Sequence, residues 1–155
     1  MQTRELRGEV AGYTLLELMI AIAVLAILAT LGGSMYRSGV GYSRVVKGIA
    51  EIRNISADID NYFDRYNEYP LNLDDIGREG KLDPWYSPYV YLNYDTVKGK
   101  NGMRKDKKLK PLNTDYDLFS SGPDRRWKAP LSAKTSRDDI VRANDGEFVG
   151  IAVNF

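Results

Sequence analysis

The chain has 155 residues and contains no cysteine and no histidine. The first absence removes thiol nucleophiles and disulfides, so no covalent bridge can staple a domain in an oxidising compartment. The second removes imidazole acid–base chemistry, and the two together remove the usual zinc ligand sets. A dominant charge sign is also lacking. With 22 basic residues against 21 acidic ones the formal net charge is +1, which sets up no global field toward nucleic acid or an anionic membrane. Carboxylate pairs are the remaining catalytic candidates and no pocket motif brackets any of them, so the expectation is a non-enzyme with no catalytic residues. Any staple must then be of another kind, such as a metal held by oxygen ligands.

What the chain does have is one long apolar run close to its N-terminus, Leu15-Leu16-Glu17-Leu18-Met19-Ile20-Ala21-Ile22-Ala23-Val24-Leu25-Ala26-Ile27-Leu28-Ala29, extending to Leu31. It reads as a helix of about membrane-spanning length, for which roughly 20 apolar residues are needed. Its one acid, Glu17, would cost roughly 2.5–3.5 kcal/mol at the centre of a bilayer, so it calls for a partner. A secretory signal peptide would end in a small-residue cleavage site, and Ala29-Thr30-Leu31-Gly32-Gly33 is a poor one. An ordinary anchor has no need of Glu17, and a buried core helix is rarely apolar on every side.

The polar leader ending in Gly12, followed by Tyr13-Thr14-Leu15-Leu16-Glu17-Leu18 and the apolar run, resembles the type III signal of type IV prepilins and type II secretion pseudopilins. The resemblance implies that prepilin peptidase cuts between Gly12 and Tyr13 and N-methylates Tyr13. It also implies that the helix stays in the mature protein and that Glu17 acts in assembly by pairing with the Tyr13 amine of a neighbouring subunit.

Past the run, Gly32-Gly33-Ser34 weakens helix propensity, each Gly by about 1 kcal/mol relative to Ala. The pattern then resumes. Val45, Ile49, Ile52, Ile55, Ile59, Phe63 and Tyr66 recur at spacings of three and four, which writes one apolar helix face. Pro70 predicts a stop near residue 67, and Asn72 predicts a capped turn over 72–76. Strands are expected around Tyr89-Val90-Tyr91, over 116–120 and over 148–153, with Asp83-Pro84-Trp85 as a turn whose aromatic lids the core. Three short strands against one helix make an α+β fold.

The long helix, Tyr69-Pro70, Asp83-Pro84-Trp85 with Pro88-Tyr89, and Asp117-Leu118-Phe119-Ser120-Ser121-Gly122-Pro123-Asp124 together resemble the major pseudopilins of type II secretion systems. This implies the pilin fold: a long N-terminal helix, membrane-spanning in its first half and amphipathic in its second, packed on a small antiparallel sheet with a long C-terminal loop. The resemblance further implies one calcium ion in the loop after the second strand, held by the side chains of Asp124, Asp138 and Asp139 and by the carbonyls of Ser121 and Arg142. The residues themselves leave a second reading open, in which Ser136 caps a turn and Asp138-Asp139 lies at its positive end. Lys and Arg crowd residues 98–110 without an aromatic on which a base could stack, so a solvated hairpin tip is expected there and nucleic-acid binding is not.

These readings divide the chain into a leader over 1–12, an apolar transmembrane and filament-core helix over 13–34, and a periplasmic domain over 35–155. The function implied is a structural subunit of a type II secretion pseudopilus. Its partners would be its own copies in a helical filament, other pseudopilins, prepilin peptidase and an inner-membrane assembly platform. Two alternatives stand beside it: a type IV pilus subunit for adhesion, motility or DNA uptake, and a single-pass inner-membrane protein with a calcium-binding domain and no filament.

Overall fold

The computed structural model describes residues 12–100 and 102–155, apart from the side chains of residues 32–35, 37 and 38. The expected leader, except for Gly12, lies outside the described residues, as do the side chains at the Gly32-Gly33-Ser34 weak point. The chain divides into two compact units, Met1–Val40 and Gly41–Phe155.

Helix α1 spans Leu15–Tyr66 and so contributes to both units. In the first unit the large apolar side chains described from Leu15, at 78%, to Leu31, at 62%, are exposed all round the helix. Among the described residues no helix is long and apolar enough to cross a membrane.

In the second unit the expected face is formed. Ile52, Ile55 and Ile59 are completely buried, Val45 and Ile49 pack beside them, and Phe63 stacks on Tyr69 at 4.5 Å between ring centroids. Tyr66 departs from the pattern. It is 55% exposed and packs on Tyr62 at 4.6 Å, because it falls in the last turn, beyond the edge of the sheet-facing cluster. The helix stops at Asn67, whose left-handed backbone (φ 55°) lets its N–H donate to the Phe63 carbonyl at 2.7 Å. Asn72 then caps the turn Leu73–Ile76 as expected. Its side chain accepts from Asp74 and Asp75 N–H, and the Asp75 carboxylate accepts from Asn72 N–H.

Four strands follow: β1 (Val90–Asn93), β2 (Tyr116–Ser120), β3 (Ile140–Ala143) and β4 (Phe148–Ile151). They form an antiparallel meander in the order β1-β2-β3-β4, with Val90 opposite Phe119, Phe119 opposite Val141, and Ile140 opposite Ile151. The arrangement is the expected α+β one, a long N-terminal helix whose second half packs on an antiparallel sheet, with two corrections. Strand β3 was not expected, and it occupies the middle of what reads from sequence as one long loop. The last strand stops at Ile151, and Ala152–Asn154 closes as a 3-10 turn.

Side chains alternate across the sheet. Tyr116, Leu118 and Ile140 join the helix isoleucines, Trp85 and Tyr89 in one core, while Phe119, Val141 and Ala143 join Leu112, Leu131 and Ala152 in a second. The helix covers the first face. The second is covered by the β1–β2 and β2–β3 connections, which are laced together by Lys105 N–H donating to the Ala129 carbonyl at 3.0 Å and Leu131 N–H donating to the Lys105 carbonyl at 2.9 Å.

Candidate functional site

At the N-terminus the residues singled out by sequence fall at the start of α1. Thr14 is the residue before the first helical turn and Glu17 is the third residue within it. Glu17 N–H donates to Thr14 Oγ1 at 3.2 Å, while Thr14 N–H and Thr14 Oγ1 both reach Glu17 Oε2 at 3.1 Å. This is a reciprocal capping box, and it satisfies two backbone donors that would otherwise be orphaned at the helix start. Within a single chain, then, the Glu17 carboxylate finds its partners on Thr14. Tyr13 is 86% exposed, and an added Cβ at Gly12 would meet nothing within 4 Å. Both residues beside the expected cut are exposed.

The second site lies on the outer face of the sheet, and sequence reasoning missed its centre. Arg104, inside the lysine-rich segment expected to be solvated, is 1% exposed, whereas Lys105, Lys107, Lys108 and Lys110 around it are exposed. Its guanidinium lies over the Phe119 ring at 4.3 Å from the centroid and near the Trp127 ring at 5.6 Å. Its Nη2 donates to Asp139 Oδ2 at 2.6 Å and its Nη1 to the Lys128 carbonyl at 3.1 Å. The signal that distinguishes this residue is its type. A planar guanidinium that forks hydrogen bonds and stacks on aromatics suits an interior site as an ammonium does not.

Backbone bonds fix the arginine in place. Arg104 N–H donates to Asp117 Oδ2 at 2.6 Å, and its carbonyl accepts from Leu112 N–H at 2.8 Å. Asp117 in turn accepts from Tyr94 Oη at 2.7 Å and Asn113 Nδ2 at 3.1 Å. Burial pushes the Asp139 carboxyl up to about 6 against the opposing pull of Arg104, so at neutral pH the carboxylate is charged. Burial also lowers the Arg104 value, but the group starts from a far higher ordinary value and the Asp139 charge raises it again. The pair is ionic.

The expected calcium donors fall as follows. Asp139 is fully buried, with Oδ2 on Arg104 and Oδ1 without a partner. Asp124 is exposed and closes its own turn, Oδ1 accepting from Arg126 N–H at 2.8 Å. Asp138 is half-buried. Ser121 is buried next to Gly122, which packs directly against the Asp138 carbonyl, so this part of the loop is brought to Asp139. Arg142 is not. It lies three residues along β3 from Asp139, roughly 10 Å at strand spacing, and its carbonyl accepts from Asn113 Nδ2 at 3.1 Å. Among the described residues no group of three or more carboxylates is placed to hold a metal ion. The orphaned Oδ1 is a donor a cation could use, but a guanidinium already holds the other oxygen and the remaining donors do not converge. This set does not fit calcium.

Nor does Ser136 cap a turn. Its hydroxyl accepts from Lys128 N–H at 2.8 Å and donates to the Lys128 carbonyl at 2.9 Å, clasping the loop across its width. The Asp83 turn is formed as expected. Asp83 Oδ1 accepts from Trp85 and Ser87 N–H, Trp85 is buried over the helix-side core, and Ser120 Oγ donates to Asp83 Oδ2 at 2.5 Å.

Comparison with known proteins bears on the N-terminal site and on the family of the chain. The prokaryotic N-terminal methylation motif matches residues 9–33. Over 139 residues the chain is 30% identical to type II secretion system core protein G of Pseudomonas aeruginosa strain PAO1, an alignment covering 76% of this chain and 87% of that protein. No solved structure matches the chain.

Proposed function

The chain belongs to the type II secretion system core protein G family, and from that membership we propose that it is a structural subunit of a pseudopilus whose growth drives protein export across the outer membrane. One observation carries the reading. Every large apolar side chain from Leu15 to Leu31 is between 49% and 78% exposed, on all faces of α1. An apolar surface of this extent needs lipid or other copies of itself to cover it, and burying a Leu or Ile side chain contributes about 1.5–3 kcal/mol each.

In this reading the precursor sits in the inner membrane by α1, with the leader on the cytoplasmic side and Gly41–Phe155 in the periplasm. Prepilin peptidase cuts between Gly12 and Tyr13 and methylates Tyr13. The exposed helix then packs against its copies, with the platform and other pseudopilins as partners, and Glu17 faces the Tyr13 amine of a neighbour.

Mass spectrometry of the membrane-extracted protein tests the processing step. A mature chain beginning at N-methylated Tyr13 is expected, with Gly12→Val held at full length because a branched side chain blocks the backbone approach that Gly allows. Filaments assembled from chains that retain residues 1–12 would refute the reading.

A further inference from the structure

We propose that the Arg104 guanidinium is the built-in cation of the loop after β2, so that this loop is held by the protein's own side chain and not by a divalent metal. The inference does not depend on whether the chain builds a pseudopilus. It rests on how the two connections meet on the outer sheet face.

The β2–β3 connection is long and has little core of its own, and an irregular segment of this kind needs a tie to repay the entropy of ordering it. Three of its anchors converge on one side chain. Asp139, at the end of the connection, gives Oδ2 to Arg104 Nη2 at 2.6 Å; Lys128, in the middle, gives its carbonyl to Nη1 at 3.1 Å; and Trp127 lies alongside the guanidinium face, packed edge-on to Phe119 at 4.8 Å. Ser136 adds a strap by holding both backbone polar groups of Lys128. A positive charge bound to a carboxylate and a main-chain carbonyl of one loop is in the position that a bound cation would take.

The arginine is also rooted independently of the loop it holds. Its N–H is on Asp117 in β2 and its carbonyl on Leu112 N–H, so the guanidinium is delivered by the β1–β2 connection as a fixed post. Its aromatic floor, Phe119, belongs to β2. The guanidinium is less strongly hydrated than an ammonium and stacks on rings, which suits it to a site that is 1% exposed. Calcium, by contrast, takes six to eight oxygens at about 2.3–2.6 Å, and with a guanidinium on the Asp139 carboxylate the site leaves it too few.

The test uses the full chain in detergent. Thermal unfolding of the wild type is expected to give the same Tm in chelator, in millimolar calcium and in millimolar magnesium, with the purified protein free of calcium by elemental analysis. Arg104→Ala, which strands Asp139, is expected to lower Tm by roughly 10 °C and to open residues 124–138 to protease. Methylguanidinium at low millimolar concentration should restore part of the lost Tm to Arg104→Ala and leave the wild type unchanged. A wild-type Tm that falls in chelator and recovers with calcium overturns the proposal, as does an Arg104→Ala protein that melts with the wild type. Should Arg104→Ala fail to fold, the wild-type chelator and calcium melts decide the question alone.

Discussion

Gly48 of α1 and Ile140 of β3 meet with no space between them: a Cβ at position 48 would stand 2.5 Å from Ile140 Cδ1. Both residues are buried, and Pro84 of the Asp83 turn lies 3.8 Å from the same point. The absent side chain therefore sets how closely the helix approaches the strand that Asp139 immediately precedes. Gly48→Val is expected to destabilise the domain by about 1–3 kcal/mol through overpacking. Gly48→Ala should come close to balance, because the gain of about 1 kcal/mol in helix propensity offsets displacement of a terminal methyl group. Chemical denaturation of the two variants beside the wild type measures the difference.

Gly122 faces backbone where Gly48 faces a side chain. It has a φ of 64°, its N–H donates to Ser120 Oγ at 3.1 Å, and a Cβ there would overlap the Asp138 carbonyl, which cannot swing aside. Gly122→Ala combines a left-handed conformation costing about 1–2 kcal/mol with a main-chain clash of comparable size. A loss of about 2–4 kcal/mol is expected on those two grounds, with residues 124–138 becoming protease-sensitive before global unfolding. If that loop stays protected in Gly122→Ala, the close approach has no structural weight.

Legibility from sequence divides between local and long-range signals. The second half of α1 shows in its three-four spacing, its stop shows in Asn67 and Pro70, and Asn72 and Asp83 each declare a turn through a side chain that bonds within four residues. Strand β3 stayed hidden because Asp138-Asp139 draws the eye to a polar loop, and Ile140-Val141-Arg142-Ala143 shows no polar-apolar alternation, being buried on both sheet faces. Arg104 was illegible for a related reason. Nothing next to it in the chain is aromatic, and its partners Phe119, Trp127, Lys128 and Asp139 reach it only through tertiary pairing of two loops. At the N-terminus the Thr14-x-x-Glu17 pattern suits an isolated helix start as well as an assembly signal, and the structure displays the local role.

The buried tyrosines give the domain an alkaline limit. Burial pushes the Tyr116 hydroxyl up to about 12, against the lowering effect of the Arg142 guanidinium that lies 4.0 Å from its ring centroid. Burial raises Tyr89, Tyr91 and Tyr94 as well, reinforced at Tyr89 by Glu51 and at Tyr94 by Asp117, which accept their hydroxyl protons. An unfolded tyrosine titrates near 10. The folded state therefore keeps protons that the unfolded chain gives up, and the associated stability is fully present below about pH 10 and lost as pH rises through about 12. Stability should be flat with respect to these groups near neutrality and fall steeply above pH 10, with tyrosinate absorbance rising together with loss of structure. Absorbance that rises at pH 10 with the fold intact would show the hydroxyls to be accessible.

The capping role of Glu17 and the assembly role proposed for it can be separated by substitution. In the single chain its carboxylate accepts from Thr14 N–H and Thr14 Oγ1, and a glutamine at this third helical position can fill the same capping box without the charge. In the proposed filament its charge also faces the Tyr13 amine of a neighbour in an apolar surround, where an ionised carboxylate is stable only with a cation beside it. Thr14→Ala should loosen the first turn by about 0.5–2 kcal/mol, visible as faster amide exchange over the first helical residues. Glu17→Gln should leave that exchange and the cut between Gly12 and Tyr13 near wild type while filament assembly falls, and Glu17→Leu, better suited still to lipid, should lose assembly too. Normal filaments from Glu17→Leu would confine the residue to its cap. Loss of assembly in Thr14→Ala equal to that in Glu17→Gln would instead trace the assembly defect to a frayed helix start and leave the charge without a role of its own.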